Sequence, residues 1–234
     1  MKHQNIICAA LLAIGIFCAG LALRNGIITF KDRDRTVSVK GLAEREVKAD
    51  LVKWPLVYKE MGNDPSVMYE TLKKKNETIV KFLKEGGIKD DEISVNPPEI
   101  TDRQANDYNN GNVDRYKATG IVTVTSKNID KVRALMDRQG ELMTMGIPII
   151  HEEWSSNTVS YDFTGLNKIK PEMVEEATKN ARSTAEKFAK DSKSKVGKIN
   201  SAYQGIFEIS DRDENTPYIK NVRVVITMDY QLED

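Results

Sequence analysis

The sequence predicts an α+β fold: a largely antiparallel sheet packed with two long helices and one shorter helix, preceded by an N-terminal transmembrane or signal helix. Three observations predict it. Short stretches of β-branched residues alternate with polar ones, two long stretches carry apolar residues at helical spacing, and Ile6 to Leu23 contains no charge. The composition, 40% hydrophobic, 30% charged and 7% aromatic, is that of an ordinary folded chain, not of a disordered or multiply membrane-spanning one.

From the amino terminus, Ile6 to Leu23 reads IICAALLAIGIFCAGLAL, with Lys2 before it and Arg24 after it. As a helix it extends about 27 Å, close to the roughly 30 Å of a bilayer's hydrocarbon core. A retained anchor is expected; the alternative is a signal peptide cut before Leu23, with Gly20 and Ala22 as the small residues of the cleavage site. Bulky Ile7 and Phe17 directly precede Cys8 and Cys18, so no lipid attachment is predicted. Arg24, Lys31, Arg33 and Arg35 on the carboxyl flank oppose export by the positive-inside bias. Long domains translocate largely regardless of that bias, however, and export is the expectation. Residues 1–23 are thus read as anchor or signal segment, 24–35 as a charged stalk and 36–234 as the folded domain.

The domain starts with the alternating strand Thr36 to Gly41. Asp50 to Met61 has strand composition, but Pro55 lacks an amide donor and suits an edge or a bulge; pairing with the first strand is expected. Asp64-Pro65 supplies a helix N-cap and a proline in the first turn, and Val67, Met68, Leu72, Ile79, Phe82 and Leu83 mark one face until Gly86-Gly87 ends the run. Lys73-Lys74-Lys75 is read as solvated helix surface. An extended segment, Ile93 to Ile100, is broken by Pro97-Pro98, and Asp102 to Asp114, rich in Asn, Asp and Gly, is read as a loop. Tyr116 to Thr125 is the strongest strand. Asn128 caps a short helix bearing Val132, Leu135 and Met136, strand character returns from Pro148 to Phe163, and Pro171 is expected to open a second long helix running to about Lys195. Ala177, Ala181, Ala185 and Ala189 give that helix a small-residue face. Lys198 to Ile209 and Lys220 to Leu232 close the chain as strands around the turn Asp211 to Thr216. The order allows two lobes of related pattern, although no repeat is detectable.

Charge and motif content narrow the function classes. The chain has 35 basic and 35 acidic residues, and residues 36–234 carry 30 basic against 33 acidic, a net charge of −3. No whole-molecule field draws in nucleic acid, so no nucleic-acid partner is expected. Past Cys18 there is no thiol, and past His3 the one histidine is His151, so the usual zinc ligand sets are excluded and no metal or other cofactor is expected. Asp211-Arg212-Asp213-Glu214-Asn215 matches the start of an EF-hand loop, but Thr216 and Val222 fill positions requiring Gly and Glu, so a turn is favoured. Ser192-Lys193-Ser194-Lys195 fits S-x-x-K without its companion motifs, and the lysines suit a helix carboxyl end. No catalytic residues are assigned. Trp54, Trp154 and Tyr161 are candidates to line a ligand groove, although aromatics on strands more often fill a core.

Thr36-Val37-Ser38-Val39-Lys40-Gly41, Glu46-Val47-Lys48-Ala49-Asp50, Tyr116-Lys117-Ala118-Thr119-Gly120 and the Ala-rich helix leading into Val196-Gly197-Lys198-Ile199 together resemble the SIMPL domain family of bacterial periplasmic and envelope proteins. The resemblance covers roughly residues 36 to 232. It implies an α+β domain, an extracytoplasmic address, self-association, and links to envelope or oxidative stress; it implies no catalytic residues. The expectation is therefore a non-catalytic protein on the periplasmic side of the inner membrane, or free in the periplasm after cleavage. It is anchored through Ile6 to Leu23 and acts as a homo-oligomer or through a protein partner by sheet edges and the small-residue helix face. The alternative is a small-ligand binder or enzyme using an aromatic groove with carboxylates from Asp102 to Asp114.

Overall fold

A computed structural model describes residues 12–24, 35–105, 114–150 and 157–233. Its helices are α1 (12–24), α2 (Pro65–Glu85), α3 (Ile129–Asp137), α4 (Gly140–Thr144) and α5 (Leu166–Asp191). The strands are β1 (Thr36–Lys48), β2 (Leu51–Gly62), β3 (Ile93–Val95), β4 (Glu99–Asp102), β5 (Tyr116–Ser126), β6 (Ser160–Asp162), β7 (Lys195–Gln204), β8 (Glu208–Asp211) and β9 (Ile219–Glu233). The α+β class is as predicted, but the strands form two sheets, not one: β1-β9-β7 with β8 on β9, and β3-β5-β2-β6 with β4 on β5. The expected shorter helix is two pieces, because the chain tightens into three-residue hydrogen bonds at Arg138 and Gln139 before Gly140 starts α4.

The chain divides into two compact units, one drawn from Met1–Arg45, Asn167–Glu208 and Val222–Asp234, the other from Glu46–Leu166 and Ile209–Asn221. In the first, the Arg35 carbonyl accepts from the Leu232 amide at 2.8 Å, and Glu44 pairs with Arg223 at 3.2 Å. Partners that fall in number as β1 rises make β1 and β9 antiparallel. Strict alternation buries Val39 and Ala43 of β1 and Val222, Val224, Ile226, Met228 and Tyr230 of β9 on one face.

Against that face α5 buries Met173, Ala177, Ala181, Ala185 and Ala189. The small side chains let the helix come so near β1 that a Cβ on Gly41 would overlap the Ala177 carbonyl oxygen and the Ala181 amide. Asn180 Nδ2 donates to the Leu42 carbonyl at 2.8 Å across the same contact. The predicted small-residue face is therefore spent inside the unit and is not a surface for self-association. The helix also starts five residues before Pro171, which lies inside it with no amide to offer the Asn167 carbonyl.

In the second unit, β2 pairs with β5 over eleven positions and not with β1. Val52, Trp54, Leu56 and Tyr58 stand opposite Ser126, Val124, Val122 and Gly120, all on the buried face. β6 pairs only with residues 51–53, and the outward Val57 carbonyl accepts from the Ile150 amide at 2.7 Å. Pro55, two residues before Val57, turns its missing donor to that same outer side, where nothing is required of it. Apart from Ser160–Asp162 and this one bond, the strand expected over 148–163 is absent among the described residues; 151–156 lie outside them. Met68, Leu72, Ile79, Phe82 and Leu83 of α2, with Val132 and Leu135 of α3, complete the core. The Asp64 carboxylate accepts from the Ser66 amide at 2.8 Å, as its N-cap position requires.

Three helices end alike. After α2, α4 and α5 the next amides reach back five and three residues, Ile88 to Leu83 and Gly87 to Lys84, Ile147 to Leu142 and Gly146 to Met143, Ser194 to Ala189 and Lys193 to Lys190. The pivots are Gly87 (φ 82), Gly146 (φ 78) and Lys193 (φ 59). Lys193 is the one of the three whose side chain opposes the left-handed backbone. Lys193→Gly should stabilise the protein by about 0.5–1 kcal/mol in urea denaturation, from relief of that strain less the added freedom of the unfolded chain. Gly41→Ala should instead destabilise by about 2–3 kcal/mol, because backbone atoms of α5 must move to admit a methyl group; an unchanged midpoint would mean that α5 lies further from β1.

Candidate interaction sites

The aromatic groove expected from Trp54, Trp154 and Tyr161 does not form from the two described members. Trp54 is 1% exposed and Tyr161 8%, both within the core of the second unit, and the Tyr161 hydroxyl donates to Met136 Sδ at 3.6 Å. The inner face of β2 that buries Val52, Leu56 and Tyr58 takes Trp54 by the same alternation. Trp154 lies outside the described residues, as does His151-Glu152-Glu153. Of the carboxylates assigned to that groove, Asp102 accepts two bonds from Arg115 at 2.9 and 3.1 Å, which hold it below the usual carboxylate range, and Asp114 accepts from Asn63 at 2.9 Å.

The turn candidates resolve as turns. Asp213 accepts from the Thr216 hydroxyl, pairs with Arg212 and accepts from the Thr216 and Asn215 amides, so its pKa falls to about 2. Asp211 pairs with Lys220. Both Asp213 oxygens and Asp211 Oδ1 are engaged, and among the described residues no group of His, Cys, Asp and Glu is placed to hold a metal ion. Ser192 caps the end of α5 by donating to the Ala189 carbonyl at 3.0 Å.

Three surface features remain that sequence reasoning did not single out as sites. The first is a concavity of about 550 Å³ in the second unit. Lys48 at the end of β1, Lys89 after α2, and Lys127, Lys131 and Arg133 around the start of α3 line it, against Glu92 and Asp130. Lys131 Nζ donates to the Gly87 carbonyl at 3.1 Å, and the Arg133 guanidinium lies 3.8 Å over the Tyr218 ring. Glu92 accepts from the Ser126 hydroxyl at 2.6 Å and from the Lys89 amide at 2.9 Å. Those bonds, with the charges of Lys89 and Lys131, hold its carboxyl below the usual range.

The second feature is an apolar groove of about 900 Å³ along α2, walled by Tyr69, Val80, Val95, Pro97 and Pro98 and rimmed by Lys73, Lys81 and Lys84. Its floor is fixed from below: the buried Tyr58 hydroxyl lies 3.0 Å from the Leu72 carbonyl and 2.9 Å from Asn76 Oδ1. Lys75 sits 6.0 Å from the Tyr58 ring centre and pairs with Glu60. Lys73 and Lys74 face solvent, as read from the sequence.

The third is β7, at one edge of its sheet with β9 as its neighbour. Residues 198–204 are all exposed, with Ile199 at 53% and Tyr203 at 69%, and Ile206 just beyond at 78%. Phe188 of α5, in the same unit, is 57% exposed.

An α+β chain of two antiparallel sheets, with its polar clusters engaged in turns and caps and its unfilled chemistry on surfaces, is the class of protein these features define. The model of SIMPL, a protein family of unknown function (DUF541), matches residues 37–228, and the chain belongs to that family. No curated protein matches it.

The groove floor has a titration signature. Burial, reinforced by the charge of Glu60, pushes the Tyr58 phenol from 10.0 up to about 12. The folded state keeps a proton that the unfolded chain releases, so this stability is present below pH 10 and is lost as pH rises toward 12. Its size is on the order of 2–3 kcal/mol. Tyr58→Phe should remove that part of the alkaline loss when denaturation midpoints are compared from pH 9 upward; parallel curves for the two proteins would show that Tyr58 is not its source.

Proposed function

We propose that this protein is a non-catalytic component of the bacterial cell envelope. In this reading Ile6 to Leu23 holds it to the inner membrane on the periplasmic side, and it acts by self-association through β7, in envelope or oxidative stress tolerance. The single observation that carries the assembly part is the uncovered β7 edge, with Ile199, Tyr203 and Ile206 turned to solvent. A ten-residue edge strand presents unpaired amides and carbonyls that another strand can take up. The ladder to β9 is bulged between Val196 and Ser201 and regular from Ser201 to Gln204, so the later half is the better template.

The occupant proposed is a second copy of the same strand in antiparallel orientation about a two-fold axis. A parallel copy would set Lys195 and Lys198 directly against their own images, whereas the antiparallel one carries them to opposite ends. For the anchor, support comes from α1. Leu12, Ile14, Ile16, Phe17 and Leu23 are 60–68% exposed on a helix that continues the apolar run. Among the described residues no helix is long and apolar enough to cross a membrane; residues 6–11 of the run lie outside them.

The full chain in a mild nonionic detergent should scatter light as a dimer or larger at high concentration and dissociate on dilution. Tyr203→Asp combined with Ile206→Asp should leave it monomeric with its denaturation midpoint kept, since both side chains are exposed. A wild-type chain that stays monomeric throughout would refute self-association. Amino-terminal sequencing of the mature protein separates an intact anchor from a chain beginning at Leu23.

A further inference from the structure

The concavity beside α3 gathers positive charge in a chain that is neutral as a whole. Lys48, Lys89, Lys127, Lys131 and Arg133 against Glu92 and Asp130 leave a net charge of +3 on the walls of about 550 Å³, in a chain whose formal net charge is zero. Much of the wall is already set in place. Lys131 is held by the Gly87 carbonyl, Arg133 by the face of Tyr218, and Glu92 by Ser126 and the Lys89 amide, so the one inward carboxylate with fixed partners is turned to the wall. The side chains of Lys48 and Lys127 have no hydrogen bond or ion pair among the described residues. The positive charge comes from side chains, not from the amino end of α3, where the Asp130 carboxylate offsets the dipole.

We infer that this concavity binds a small phosphate-bearing molecule, with Lys48, Lys127 and Lys131 supplying the charge that holds the phosphate. Cations gathered in a concave wall focus their field into the cavity instead of spreading it over the surface. Among small anions, a phosphate monoester brings about −1.5 to −2 charges at neutral pH and three acceptor oxygens, the closest match to several ammonium donors and a net +3; a single carboxylate would leave most of the charge unanswered. The volume lies in the ordinary range of small-molecule sites, so an organic portion fits behind the phosphate.

The test titrates the full chain, in nonionic detergent at low salt, with inorganic phosphate and separately with phenyl phosphate, by calorimetry. Both should bind saturably, the ester more tightly. Lys48→Glu combined with Lys127→Glu should weaken both by about tenfold or more, the combined effect of reversing two charges at low ionic strength. Lys73→Glu combined with Lys74→Glu, an equal change of charge on exposed α2 surface, should leave binding unchanged. Thermal denaturation of both variants checks that folding is kept. Absence of saturable binding at millimolar phosphate, or equal weakening by the two double variants, would overturn the site. Vesicles of phosphatidylglycerol in phosphatidylcholine form the last arm. Capture by vesicles that Lys48→Glu with Lys127→Glu abolishes, in a chain that does not bind phenyl phosphate, would make the ligand a lipid headgroup and overturn the soluble ligand. Because the β7 variants lie in the other unit, their failure and that of the phosphate titration are separate results.

Discussion

The constraint on which the first unit depends is how close a helix backbone can come to a strand. An antiparallel sheet with one apolar face must cover that face, and the usual cover is a row of large side chains filling roughly 10 Å between layers. Here the row on α5 is Ala177, Ala181, Ala185 and Ala189, which supplies little apolar area per residue. Large residues on the strand side, Met228 and Tyr230 among them, and direct approach of the helix to Gly41 make up for it. A glycine in mid-strand is normally a weak point; at this position it is the residue that lets α5 dock. The second unit answers the same requirement in the opposite way, with Leu72, Ile79, Phe82 and Leu83 on α2 and small Ala118 and Gly120 on β5 beneath Tyr58.

Local chain reversals connect this packing to the surface features. The turn that ends α2 at Gly87 leaves the Gly87 carbonyl facing α3, where it accepts from Lys131. A feature whose first role is to satisfy the last carbonyls of a helix thereby fixes one wall of the basic concavity. Glu92, a few residues on, is bound to Ser126 at the end of β5, so the link between α2 and β3 is tied to the strand that leads into α3. The Ser126 hydroxyl and the Lys89 amide each hold one oxygen of the Glu92 carboxylate, so its place in the concavity is set from two sides.

Much of the fold was legible because alternation and helical spacing are local signals. Thr36 to Gly41, Tyr116 to Thr125 and Lys220 to Leu232 are strands, Asp64-Pro65 starts α2, Gly86-Gly87 ends it, and Pro97-Pro98 separates β3 from β4. Partner choice was not legible: the alternation of β2 fits β1 as well as β5, and nothing in the residue order distinguishes them. Pro171 misled because proline is favoured in a first turn, yet here it lies inside α5 after Leu166 to Lys170 have already coiled. The period-2 pattern that predicted β2 also carried the answer for Trp54, since it shares a face with Val52, Leu56 and Tyr58. The basic concavity had no sequence signature. Lys48, Lys89 and the 127–133 segment are separate in the chain, each unremarkable in a protein that is 30% charged, and only the fold brings them to one wall.

A neutral chain with a positive hollow selects differently from a uniformly basic one. Long-range attraction to a polyanion scales with the whole field, and the formal net charge here is zero. A dianion small enough to enter would meet several cations at once, at the short range where charges interact most strongly. The balance of 35 basic against 35 acidic residues is therefore not evidence against anion recognition by this member of the SIMPL family. On the reading proposed above, such recognition is confined to ligands small enough to enter the concavity beside α3.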